Sequence, residues 1–207
     1  MKRFLLIDLA QKRQAVALAN QEKLLALKSW QFSPLKPTDP LRKIDQLLKH
    51  NHNPPSKLSG VIINQGPGSF TSLRTAAAIV NSLNLALALP LAGVNRFEIG
   101  ALRASLQDGW VIIPTNLGDF FVGRIKGGRL LNKPLVLASS QLKKLRGKLV
   151  GVGIKKPISQ LSPGACLLPA RKKEELISLL RLGQKRLRLS KRVLTPLYGR
   201  PIKITLP

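Results

Sequence analysis

Few side chains in this 207-residue chain are equipped for covalent or metal chemistry. The one cysteine, Cys166, lies in the apolar run Ala165-Cys166-Leu167-Leu168 and reads as core rather than nucleophile. The two histidines, His50 and His52, stand at the expected end of a helix, on different faces and with no cysteine or acid nearby. No metal set is expected from them. What remains is a stretch able to hold a ligand with its backbone, Gly66-Pro67-Gly68-Ser69-Phe70-Thr71-Ser72-Leu73-Arg74. Glycines can take backbone angles closed to other residues, so the chain can turn sharply here. Ser69 or Thr71 can cap the helix that follows, whose first N–H groups and dipole favour an anion or another acceptor in front of the loop. Arg74, in the first turn, adds a positive charge. No Gly-Lys-Ser/Thr follows, so this is not a Walker loop. Thr71 stands at the third glycine position of a dinucleotide fingerprint, and no acid follows about 20 positions on. Phosphate docking, a partner's acceptors and a plain strand-to-helix turn all fit these residues.

The loop needs a strand before it and a helix after it. Leu58 to Ile63 supplies the strand and Thr75 to Leu89 the body of the helix. Upstream, Phe4 to Leu9, Ala15 to Ala19 and Lys23 to Leu27 read as an antiparallel meander. Asp39 before Pro40 starts a helix whose apolar face is Leu41, Ile44, Leu47 and Leu48. The helix after the loop carries few charges. Leu73, Ala76, Ile79, Leu83 and Ala86 form one face; Ala77, Ala78, Asn81, Asn84 and Ala88 form a smaller, more polar one. A helix with so little charged surface is buried on more than one side, by its own fold or by a second subunit. Further on come a strand at Leu91 to Val94, a helix at Phe97 to Leu106 and a strand at Trp110 to Pro114. A hairpin about Gly127-Gly128, a strand at Leu149 to Val152 and a basic helix at Lys172 to Leu182 complete the reading. The chain divides into residues 1–105, an N-terminal lobe carrying the glycine loop, and 106–207, a smaller and strongly basic lobe.

The formal charge of +26 is uneven: residues 1–119 hold 14 basic and 7 acidic side chains, 120–207 hold 21 and 2. Such a surplus points to a polyanionic partner or to a solvated basic surface. Candidate contacts are Lys172, Lys173, Lys185, Arg186, Arg188, Lys191 and Arg192. Aromatic residues are nearly absent after Phe121, so phosphate contact is expected rather than base stacking. Asp8 interrupts the N-terminal apolar run too early for a signal sequence, and Asn81, Ser82, Asn84 and Pro90 break the longest apolar stretch. With a single cysteine, the reading is a cytoplasmic protein with no membrane partner.

GPGSFTSLR resembles the GPGSFTGLR signature of the TsaB (YeaZ) family, non-catalytic subunits of the bacterial tRNA threonylcarbamoyladenosine synthase. Ser72 stands where that family usually has glycine. Pro196-Leu197-Tyr198-Gly199-Arg200 resembles the family's C-terminal Pro-Leu-Tyr-Leu-Arg. The resemblance implies an α/β fold of the actin/Hsp70/sugar-kinase-like (ribonuclease H-like) superfold, with two related lobes of mixed sheets flanked by helices. It implies an accessory subunit with no catalytic residue of its own. Such a subunit would support a TsaD-like catalyst that transfers threonylcarbamoyl to the tRNA adenosine next to the anticodon. A homodimer, a TsaE-like ATPase and tRNA are further partners left open. Gly66, Pro67, Gly68, Ser69, Phe70, Thr71 and Arg74 would form a nucleotide- or partner-binding loop, and Ala77, Asn81 and Asn84 a subunit interface. Asp8 ends the first strand, where the superfold places an acid of its first phosphate loop. The family's Thr-Ser pair is replaced by Leu9-Ala10, and the Gly-Asp-Gly of the second phosphate turn reads Gly151-Val152-Gly153. Asp8 thus reads as a degenerate phosphate site, satisfied by backbone N–H groups. No cofactor is expected on the chain alone, with ATP or ADP and magnesium entering only in a complex. The alternatives are a nucleic-acid-binding protein that reuses the fold and a degenerate small-molecule kinase.

Overall fold

The computed structural model describes residues 1–33, 35, 38–115, 117–154, 165–187 and 193–199. Its first sheet grows from the meander. β1 (Phe4–Asp8) is buried along its whole length, and β2 (Arg13–Ala19) pairs with it antiparallel. β3 (Leu24–Gln31) alternates half-buried and exposed residues, the pattern of an edge strand with one wet face. It runs beyond Leu27 because the alternation continues through Lys28 and Trp30, and the Trp30 ring packs inward. β4 (Gly60–Asn64) and β5 (Leu91–Val94) add parallel on the other side of β1, for the order β3-β2-β1-β4-β5.

Helices cover both faces of that sheet. α1 (Pro40–His50) starts where Asp39 accepts a hydrogen bond from the Leu41 N–H. With α2 (Phe70–Leu87) it closes a core containing Leu5, Ile7, Leu47, Val61, Ile63 and Val80. The opposite face, with Phe4, Leu6, Ile62 and Val94, is covered by Leu176, Leu179 and Leu180 of α4 (Lys172–Gln184). Gly183 permits that approach: a Cβ there would lie 2.2 Å from an Ile62 methyl.

The second sheet comprises β6 (Gly109–Pro114), β7 (Phe120–Lys126), β8 (Arg129–Leu130), β9 (Leu135–Leu137), β10 (Leu149–Val152) and β11 (Cys166–Leu168). Its order is β11-β10-β6-β7-β8, with β9 also paired to β7. α3 (Arg96–Arg103) seals the inner face through Phe97 and Ala101, against Val111, Ile113, Ile125, Val150 and Val152. A short 3-10 turn (Ser139–Lys144) crosses the outer face, where Leu142 joins Ile112, Phe120, Val122 and Leu149. α3 and α4 lie against each other between the sheets. The architecture is α/β, two mixed sheets flanked by helices, as expected. Cys166 is a correction: it lies exposed on a terminal strand, not in a core.

Residues 193–199 form a strap from α2 to the second sheet. Asn81 holds the Leu194 backbone by both its N–H and its carbonyl, at 2.9 and 3.0 Å, and Gln65 holds the carbonyl of Thr195 and the N–H of Leu197. Leu197 then enters the core below β6. No helix among the described residues is long and apolar enough to cross a membrane.

Candidate functional site

The glycine loop is pressed onto the turn between β1 and β2. A Cβ at Gly68 would sit 1.9 Å from the Ala10 carbonyl oxygen, and that oxygen accepts from the Ser69 N–H at 3.2 Å. Only glycine fits such an approach. Gly66 has φ +103°, also a glycine conformation. The loop's carbonyls serve α3: the Arg96 N–H donates to Gly66 at 2.7 Å and Arg96 Nη1 to Pro67 at 3.0 Å. Ser69 caps α2, and the buried Ser72 hydroxyl donates to Ser69 Oγ at 3.1 Å. Ser72 Oγ accepts in turn from Gln14 Nε2, whose amide oxygen accepts from Trp30 Nε1. The serine that replaces the usual glycine thus completes a polar chain from β3 to the cap.

Phe70, Thr71 and Arg74 point outward. The Phe70 ring lies 4.9 Å from Tyr198 of the strap, and the Arg74 guanidinium sits 5.4 Å above it. The outer side of the loop is therefore an exposed patch of ring, hydroxyl and cation.

Behind the loop lies a buried ionic cluster. Asp8 is 1% exposed; one carboxylate oxygen accepts from the Ala10 N–H and Asn64 Nδ2, the other from Lys172 Nζ at 2.7 Å. Lys172 also pairs with Glu175 at 3.1 Å, and Glu175 accepts from Gln11. Arg103 approaches Glu175 at 3.7 Å, too long for a hydrogen bond, and binds Glu174 at 2.9 Å. Burial pushes the Arg96 guanidinium below its ordinary value, while Glu175 and then Asp8 pull it back. The expectation that backbone N–H groups satisfy Asp8 is corrected: one does, but its ionic partner comes from 164 residues away. Sequence reasoning missed Lys172, Glu175, Arg96 and Arg103 as one cluster. A signal existed, since Glu174 and Glu175 are the only acids after Asp119 and stand side by side.

The expected subunit face divides. Ala77 is buried, Asn81 is spent on Leu194, and the Asn84 amide donates to the Leu89 carbonyl beyond the helix end. The outward stripe of α2 is instead Thr71, Arg74, Ala78, Ser82 and Leu85, and Leu85 is 89% exposed. Among the basic candidates, Lys173 and Lys185 are exposed. Lys172 is buried by its two acids, and Arg186 grips Glu98 through two bonds of 2.7 and 3.1 Å, so neither stands free for a polyanion. Arg188, Lys191 and Arg192 lie outside the described residues. Val152, at the position of the second acid, is core against Gly100 of α3.

The model of the TsaD family, tRNA N6-adenosine threonylcarbamoyltransferase, matches residues 41–115, which hold α1, the loop, α2 and α3. A probable bifunctional tRNA threonylcarbamoyladenosine biosynthesis protein of Methanoculleus marisnigri is 34% identical over 77 residues. That match takes in 35% of this chain, which spans only 15% of the length of that relative. YeaZ from Pseudomonas aeruginosa superposes with a TM-score of 0.71 at 20% identity, over 96% of this chain and 100% of that one. A second structure, described as similar to peptidase YEAZ from Pseudomonas aeruginosa, gives 0.71 at 21%, over 97% and 100%. The fold is that of the YeaZ structures, and the sequence match falls on the segment that carries the loop.

Proposed function

We propose that this chain is a TsaB-like accessory subunit in the synthesis of threonylcarbamoyladenosine on tRNA, working in the cytoplasm beside a TsaD-like catalytic subunit. The observation that carries the reading is where the family match falls. Residues 41–115 hold the glycine loop and α2, and both turn an uncovered face outward: the Phe70–Arg74 patch and the stripe ending at Leu85. The stripe is spaced every three or four residues and carries one charge, Arg74, a surface suited to a partner helix. The loop's inner side is a poor fit for a magnesium nucleotide. Ala10 occupies the approach to Gly68, and the Lys172 ammonium already neutralises Asp8. Residues here therefore shape a surface rather than hold phosphate. The same argument weighs against a degenerate kinase, because phosphoryl transfer depends on metal and charge placement.

The test is reconstitution. Purified chain and a TsaD-type subunit are mixed with tRNA, threonine, bicarbonate and ATP, with a TsaE-type ATPase and the enzyme that makes the threonylcarbamoyl donor, and the modified nucleoside is measured by mass spectrometry. Omitting the chain, or using Ser82→Arg, should abolish both the product and co-elution with the catalytic subunit. Equal product without the chain would end this reading.

A further inference from the structure

From Phe120 to Lys173 the sequence contains no aspartate or glutamate. The fold gathers much of the positive charge of this stretch on the outer side of the second sheet. Ile112, Phe120 and Val122 face outward in the cluster under the 3-10 turn. By strand alternation, Trp110, Arg124 and Lys126 share that side. Lys126 stands directly opposite Arg129 in the β7–β8 register. Like charges face to face are destabilising unless something binds between or across them. Lys143 and Lys144 extend the patch on the 3-10 turn, and both are exposed. Arg146 is tied to it directly, because its carbonyl accepts from Trp110 Nε1 at 3.0 Å. Among the described residues none of these six cations is ion-paired. One acid, the exposed Asp108, lies at that end of the sheet.

In the middle of the patch the Arg124 guanidinium lies 5.1 Å above the half-buried Trp110 ring. A guanidinium held flat on an indole is a stacking surface for a base as well as a charge for phosphate. We propose that the outer face of the second sheet is an RNA-docking surface, with Arg124 on Trp110 as its platform and the surrounding lysines and arginines on the phosphates. An acidic protein segment would use the charge but not the platform. The inference rests on charge and geometry alone, apart from any role in tRNA modification, and it moves the site of contact away from Lys172 and Arg186. Phosphate contacts of this kind position an RNA without choosing its sequence.

The experiment titrates the full chain into a fluorescein-labelled tRNA transcript and an unrelated RNA hairpin across a range of salt. Both should bind, with affinity falling steeply as salt rises. Lys143→Glu/Lys144→Glu should weaken binding by about tenfold or more near 0.1 M salt. Lys23→Glu/Lys57→Glu, an equal charge change on exposed residues of the first sheet's side, should shift it less than about twofold. In a Trp30→Phe background, whose folding is verified by circular dichroism, Trp110 is the sole tryptophan. Its emission should change with RNA and not with heparin, a polyanion without bases. Equal weakening by the two double variants would reduce the effect to net charge and overturn the proposal. So would an unchanged Trp110 emission, or a polyglutamate peptide that competes as well as RNA.

Discussion

Lys172 shows how one side chain can settle the character of a site. Its ammonium reaches Asp8 and Glu175 at 2.7 and 3.1 Å while 5% of the side chain is exposed. A buried ion pair is not itself strong evidence of stability, but breaking one leaves a stranded charge. Lys172→Met strands two carboxylates, with Arg96 and Arg103 as partial relief. The expected loss is about 3–5 kcal/mol in urea denaturation; a loss under about 1 kcal/mol would mean that the cluster rearranges around the gap. Glu174, at the surface of the same helix, behaves differently. Hydrogen bonds from Arg171, then Arg103, hold its carboxyl below the ordinary 4.5. A carboxyl lowered in the folded state contributes stability above its unfolded value and loses it as pH falls through the lowered one. The stability gap between the native chain and Glu174→Gln at neutral pH should therefore close in acid. A gap that is independent of pH would remove these hydrogen bonds as its cause.

At the scale of elements, α2 was the hardest to read from sequence. Its composition showed that more than one side is covered, yet not which. Ala77 and Ala78 are chemically identical neighbours, and only the packing of α2 on β4 and the strap decides that Ala77 is buried and Ala78 exposed. Asn81 and Asn84 looked free for a partner because Leu194 and Leu89, which use them, are distant or beyond the helix end. A charge placed at Asn81, as in Asn81→Glu, would confound loss of docking with release of the strap. Ser82 lies on the outward side and tests docking alone. The helix end offers an independent check. Ala88 caps α2 in the left-handed region, with φ 50° and ψ 36°, and is exposed. Glycine takes that conformation without the steric penalty alanine bears. Ala88→Gly should raise stability by about 1 kcal/mol, seen as a higher melting temperature. A lower one would show that chain entropy outweighs the relief.

Across the whole molecule, what was legible was local. The meander, the capped α1, the glycine loop and the hairpin at Gly127-Gly128 each carry their signal within a dozen residues. What was hidden is long-range: α4 leaves the second sheet to complete the first, and the strap runs from α2 back to the second. Leu176, Leu179 and Leu180 fill the core over Phe4, Leu6 and Ile62, and Lys172 closes the ionic cluster at Asp8. Arg186 then joins α4's end to Glu98 of α3. A fragment ending at residue 105 keeps β1 to β5 but loses every residue of α4, and of the helical cover over that face of the sheet it keeps Ile99 of α3. Each large apolar side chain newly exposed costs roughly 1.5–3 kcal/mol, so uncovering Phe4, Leu6, Ile62 and Val94 would cost about 6–12 kcal/mol, comparable with the ~5–15 kcal/mol that typically holds a domain folded. Each is 3% exposed or less in the whole chain, where Leu176, Leu179 and Leu180 of α4 pack against them. Residues 1–105 alone should therefore give no dispersed amide spectrum and no cooperative melt, while the full chain should unfold in one transition. Adding a separate peptide of residues 165–199 should restore dispersion if α4 is the missing piece. A fragment that folds by itself would show that the first sheet does not depend on the C-terminal helix.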